Sequence, residues 1–127
     1  MPLSKDQLKQ FHQLLITERA RLAGEVLSIV KEVSKGQRDA AGDLSAYTVH
    51  MADMATDTHE RELSMNIASN EQEIIYEIDD ALKRIDDATY GDCQQCGKSI
   101  SLSRLKAVPY ALLCIECQRG KEQKSRR

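Results

Sequence analysis

"YGDCQQCGKSISLSRLKAVPYALLCIECQRG", residues 90–120, holds all four cysteines of the chain as two C-x-x-C pairs, Cys93 with Cys96 and Cys114 with Cys117, separated by seventeen residues. Each pair can present two thiolates from one tight turn, and Gly97, directly after the first pair, permits the backbone conformation such a turn requires. Four sulfurs complete a closed tetrahedral site with no open position for a substrate, so the expected cofactor is one structural Zn2+. Two disulfides, a redox dithiol or a rubredoxin-like iron centre use the same residues. The paired spacing in a chain expected to remain in the reducing cytoplasm favours zinc over the first two, and nothing else in the chain suggests the electron transfer an iron centre serves. The segment has few apolar side chains to bury, so metal binding is expected to supply a large part of its folding energy.

Upstream of the cysteines, Leu63, Ile67, Ile74, Ile78, Leu82 and Ile85 recur at spacings of three, four or seven, which predicts a long helix ending at about Asp87. A matching stripe runs through Leu8, Phe11, Leu15, Leu22, Val26, Ile29 and Val33. Its start is marked by Ser4 with Gln7 three residues on, a capping box, with Leu3 and Leu8 placed for a hydrophobic staple. Gly36 is placed as a C-cap, so the first helix is expected to end at about Lys35. Two narrow seams joined by one polar segment predict a mainly α protein, a long antiparallel helical hairpin (coiled coil) on a small four-cysteine module with a C-terminal helix. A helix of roughly 30 residues is about 45 Å long, so the hairpin should outreach any small domain at its base. The expected organisation is a hairpin over 1–88 with its tip at about 36–58, a finger over 89–118, and the end of the C-terminal helix with a basic tail over 119–127.

The bulk properties agree with thin helical packing. Aromatic residues make up 4% of the 127, with no Trp and one Phe, while 30% are charged, so little bulky side chain is available for a wide interior. The net charge of -2 provides no field that would recruit nucleic acid non-specifically. "MPLSKDQLKQ" reaches polar residues at once, and no apolar run approaches the ~20 residues of a membrane span, so a cytoplasmic protein with no membrane partner is expected. With the thiols committed to metal, and no Gly-rich phosphate loop or serine motif, no enzymatic activity is expected.

"YGDCQQCGKSISLSRLKAVPYALLCIECQ", following the helix that ends in "ALKRIDDAT", resembles the DksA/TraR family of four-cysteine zinc-finger transcription factors of bacteria. "KDQLKQFHQLLITERARLAGEV" is also similar to the first helix of the longer members, so the resemblance covers nearly the whole chain. It implies a partner, RNA polymerase, bound directly and without sequence-specific DNA contact. The zinc module and C-terminal helix would grip the rim of the enzyme's secondary channel, and the hairpin would enter it. Acidic residues at the tip would then act near the active centre and change the lifetime of promoter complexes, often together with the alarmone ppGpp.

Two positions carry the tip role in this chain, Asp53 and Asp57 in "ADMATD", where well-studied members have D-x-x-D-x-A. Residues four apart share a face of a helix, so both carboxylates can converge on one basic or metal-bound target. The plainer alternative is that Asp57 caps the second helix, with Glu60 three residues later, and that Asp53 is simply hydrated. Where ppGpp-responsive members carry basic side chains, this chain reads Glu77, Val108 and Gln118, none of which pairs with phosphate, so ppGpp synergy is expected to be weak or absent. A competing function is a zinc-ribbon nucleic-acid-binding protein whose helical hairpin dimerises. The segment between the cysteine pairs holds only Lys98, Arg104 and Lys106 as basic residues and Tyr110 as an aromatic, which favours recognition of protein.

Overall fold

The computed structural model describes residues 3–41 and 51–125, with side chains described over 3–35 and 58–125. Its elements are α1 (Lys5–Ala41), α2 (Met51–Asp86), α3 (Leu102–Ala107) and α4 (Ile115–Ser125). The capping box forms as expected: the Ser4 amide donates to Gln7 Oε1 at 2.9 Å and the Gln7 amide to Ser4 Oγ at 3.2 Å. α1 runs through Gly36 to Ala41, past the expected end at Lys35, and α2 already begins at Met51. The interval between the two helices is therefore 42–50, shorter than the 36–58 anticipated, and it lies outside the described residues. A single glycine inside a helix costs only about 1 kcal/mol relative to alanine, too little to enforce a stop.

The chain divides into two compact units, each containing a stretch of α1 and a stretch of α2: Met1–Arg19 with Tyr76–Arg127, and Ala20–Ile75. In the first unit, Phe11 lies against Tyr90, with ring centroids 5.7 Å apart, and Arg19 Nε donates to Asp79 Oδ1 at 2.6 Å. As the chain advances along α1 its partners retreat in number, so the helices run antiparallel. The Arg19–Asp79 pair is exposed and marks this register more than it stabilises it. The unit's interior is formed by Phe11, Leu15, Ile78, Ala81, Tyr90, Ile100, Leu105 and Leu113, drawn from the hairpin and the cysteine segment alike.

In the second unit the α1 stripe packs as the periodicity predicts, with Leu22 buried and Val26, Ile29 and Val33 half-buried. The α2 stripe does not. Leu63 and Ile67 are 50% and 52% exposed, whereas Ala68 and Ile75 are buried and Ser64 and Glu71 half-buried. The seam of α2 here lies one residue further along than its large apolar side chains suggest. Periodicity identifies a stripe, but adjacent stripes lie about 100° apart, and only packing selects between them.

α2 ends in a left-handed turn. The Thr89 and Tyr90 amides both donate to the Arg84 carbonyl, at 2.9 and 3.2 Å, and Ala88 takes a φ of +63°. An L-residue with a Cβ is disfavoured in that conformation by about 1–2 kcal/mol, part of which glycine gives back through greater freedom in the unfolded chain. Ala88→Gly is therefore expected to stabilise the zinc-loaded protein by about 0.5–1 kcal/mol. Urea denaturation would detect this as a higher midpoint, and an unchanged or lower one would contradict it. Immediately beyond, Gly91, with a φ of +91°, has Leu3 against it: a Cβ there would stand 3.1 Å from Leu3 Cδ1.

Candidate metal centre and the adjoining cleft

The first cysteine pair sits in a knuckle closed by three backbone hydrogen bonds. The Cys93 amide donates to the Lys98 carbonyl at 2.8 Å, the Gly97 amide to the Cys93 carbonyl at 2.9 Å, and the Ile100 amide to the Gly91 carbonyl at 2.8 Å. Gly97 has a φ of +77°, the left-handed conformation that its position after the pair predicts. The Cys96 amide points back at Cys93 Sγ, 3.5 Å away. In the second pair Cys114 precedes α4 and Cys117 lies in its first turn, with the Gln118 amide donating to the Cys114 carbonyl at 2.9 Å. The C-terminal helix thus starts at Ile115 and carries a thiol itself, so finger and helix interpenetrate at 115–118. A bond from the Gln94 amide to the Leu112 carbonyl at 3.0 Å ties the two knuckles together.

The four Sγ atoms all lie within 4.8 Å of one another, and Cys96 Sγ and Cys114 Sγ are 3.7 Å apart. Sulfurs at the corners of a tetrahedron around zinc, each about 2.3 Å from it, are about 3.8 Å apart. None of the four is in a disulfide. Burial pushes the Cys93 thiol up, but hydrogen bonds from the backbone of Cys96, Cys114 and Gln95 outweigh it and bring it down to about 6. Cys117 is pushed up to about 12, first by its hydrogen bond with Cys114, then by burial and the other sulfurs. Four thiol groups this close cannot all ionise without a cation to offset the charge of the set. The donor set, its spacing and its closure fit a structural zinc ion.

Between the pairs, the one-turn helix α3 was not foreseen in the sequence, although its signals are present. Ser101 caps it, accepting from the Arg104 amide at 3.3 Å, and Leu105 points into the interior. Tyr90 anchors the segment: its hydroxyl donates to the Pro109 carbonyl at 2.7 Å, and burial pushes its pKa up to about 12.

Glu77, Val108 and Gln118, the three positions singled out by the resemblance, line one cleft of about 390 Å³ within the first unit. The structure also brings Arg84, Arg104 and Lys121 to its walls, faced by Asp80 and Glu122. Arg104 Nε donates to the Leu113 carbonyl at 3.0 Å, and Arg84 Nη2 approaches the Ala111 carbonyl at 3.5 Å. Burial weighs against the Arg84 charge, and Asp80 partly restores it. Comparing single positions missed these cations because they reach the cleft from α2, α3 and α4.

Asp53 and Asp57 fall within α2 by their backbone, while their side chains lie outside the described residues. Because α2 begins at Met51, Asp57 is inside the helix and does not cap it, which removes the plainer alternative for that residue. No described helix is long and apolar enough to cross a membrane.

Fold and site together define a helical-hairpin protein with a four-cysteine zinc finger. Residues 88–123 match the model of the prokaryotic dksA/traR C4-type zinc finger. The chain is similar to general stress protein 16O of Bacillus subtilis, 32% identical over 119 residues that make up 93% of this chain and 70% of that one. It is 30% identical over 120 residues to the RNA polymerase-binding transcription factor DksA of Caulobacter vibrioides, covering 94% of this chain and 79% of the other. The structure of transcription factor DksA2 from Pseudomonas aeruginosa superposes with a TM-score of 0.79 at 29% identity, covering 98% of this chain and 89% of that one. The chain belongs to the DksA/TraR family. One structural zinc ion is its cofactor, and Cys93, Cys96, Cys114 and Cys117 are the groups positioned to hold it.

Proposed function

We propose that this protein is a transcription regulator that binds RNA polymerase through the secondary channel and brings Asp53 and Asp57, near the turn of the hairpin, to the active centre. The observation that carries this reading is the agreement with DksA2 along 98% of the chain, hairpin and finger together. A shared finger alone would support only a shared metal site. A structural metal with no open coordination position offers no reaction centre at the metal, which supports action by binding. The test is binding of the zinc-loaded protein to cognate RNA polymerase core, with a competitor known to occupy the secondary channel. Displacement by the competitor is expected. Absence of binding would overturn this reading and return a nucleic-acid-binding zinc ribbon to first place.

The cleft that holds Glu77, Val108 and Gln118 has as many acidic as basic walls, which supports weak or absent ppGpp synergy. Promoter-complex lifetimes with the wild-type protein are expected to be the same with and without ppGpp. Glu77→Lys would add one charged contact, worth about tenfold in affinity for the nucleotide, and is expected to gain a response. A strong response in the wild type would refute the expectation, and equal effects in both proteins would contradict the role given to Glu77.

A further inference from the structure

The second unit pairs an apolar strip with an awkward partner. From α1 come Leu22, Val26, Ile29 and Val33, whereas α2 turns Ser64, Ala68 and Glu71 inward and leaves Leu63 and Ile67 half in water. Glu71 is the least comfortable of these: its Oε2 is buried and has no hydrogen-bond partner. Two charged groups face it from α1, Glu25 and Arg21, and Arg21 Nη1 donates to Glu25 Oε1 at 2.7 Å. Among the described residues of this unit, α1 and α2 are the only elements. The Glu71 carboxyl is held above the usual carboxylate range, first by its hydrogen bond with Glu25, then by burial and the Glu25 charge, with Arg21 opposing.

We propose that this stretch of α2 is a two-position element, in which Glu71 gates a roll of the helix between the packing described and a second one that turns Leu63 and Ile67 toward α1. Neighbouring residues are about 100° apart around a helix, so a fraction of that angle exchanges one stripe for the other. With its own carboxyl protonated, Glu71 is tolerated in the seam. Once Glu71 ionises, its charge faces Glu25 in a partly dry interface, and the roll sends Glu71 to water while withdrawing Leu63 and Ile67 from it. The sign follows from the raised folded-state proton affinity. The stability that the Glu25–Glu71 contact adds to the described packing is fully present below the usual carboxylate range and is lost as pH rises through the raised value. A roll also re-aims every position earlier on α2, Asp53 and Asp57 included. That last consequence rests on the tip role proposed above, whereas the roll itself does not.

With Glu25 facing Glu71, a step of one turn along each antiparallel helix puts Ile29 level with Ile67 and Ala68. In full-length, zinc-loaded protein, Ile29→Cys is combined either with Ile67→Cys or with Ala68→Cys, and the ratio of the two disulfide yields is read at about pH 5.5 and about pH 8, which cancels the pH dependence of oxidation itself. The ratio of the 29–67 bridge to the 29–68 bridge is expected to rise several-fold at the higher pH, and to stay low at both when Glu71→Gln is added. A ratio that ignores pH, or that moves equally with Glu71→Gln, overturns the proposal. Thermal melts without engineered cysteines give a second reading: the fall in Tm from the lower to the higher pH should be smaller for Glu71→Gln than for the wild type. Equal falls would count against the gate.

Discussion

Chelation of the zinc is expected to unfold residues 90–118 while α1 and α2 keep most of their helix. Few side chains of that segment reach the interior, chiefly Tyr90, Ile100, Leu105, Ala111 and Leu113, and the knuckles are held by a handful of backbone bonds. Structural zinc bound by comparable peptides supplies about 10–16 kcal/mol of apparent folding free energy, more than so small a core provides. α3 and α4 are six and eleven residues long against 37 and 36 for α1 and α2, so far-UV circular dichroism should fall only modestly. Amide protection around Cys93, Ile100 and Leu105 should disappear. Cys114→Ser should reproduce the effect without chelator, because one missing thiolate opens the closed set. Retained protection in metal-free protein would show that the segment folds on packing alone and that the metal is an accessory.

The second large effect is functional and leaves the fold intact. Asp53→Asn combined with Asp57→Asn is expected to abolish the change in promoter-complex lifetime while zinc content and helicity stay at wild-type values. Binding to polymerase is expected to shift by no more than about twofold, since a hydrated ion pair contributes little. Asn matches Asp in size and nearly in helix propensity, so the double substitution removes charge and little else. The two positions are four apart in a helix that begins at Met51, which puts them on one face. A double variant that regulates as well as the wild type would contradict the tip assignment while leaving polymerase binding in place.

Most of the architecture was legible because its signals are local. The capping box needs only Ser4 and Gln7, and the α1 seam needs only spacing in a helix buried on one side. The metal centre needs two C-x-x-C pairs, since three residues of a tight turn or of a helix's first turn bring two sulfurs to one side whatever else the chain does. Gly36 misled because a helix stop is a weak preference that adjoining helical residues override. α3 escaped notice because a one-turn helix has almost no period to detect.

From the sequence alone came the four-cysteine module, the two long helices, their antiparallel pairing and the family they resemble. What the tertiary structure decided was the rotation of α2 and the contents of the cleft. α2 carries two stripes a residue apart, and Ser64, Ala68 and Glu71 share a phase with Ile75, which is buried, so Leu63 and Ile67 are turned outward despite their hydrophobicity. Arg84, Arg104 and Lys121 meet Glu77 only because α2, α3 and α4 converge there. Spacing along a chain sets which residues share a face of one element. Which face is buried, and which distant charges share a wall, depends on the other elements, because burial and electrostatics act through space.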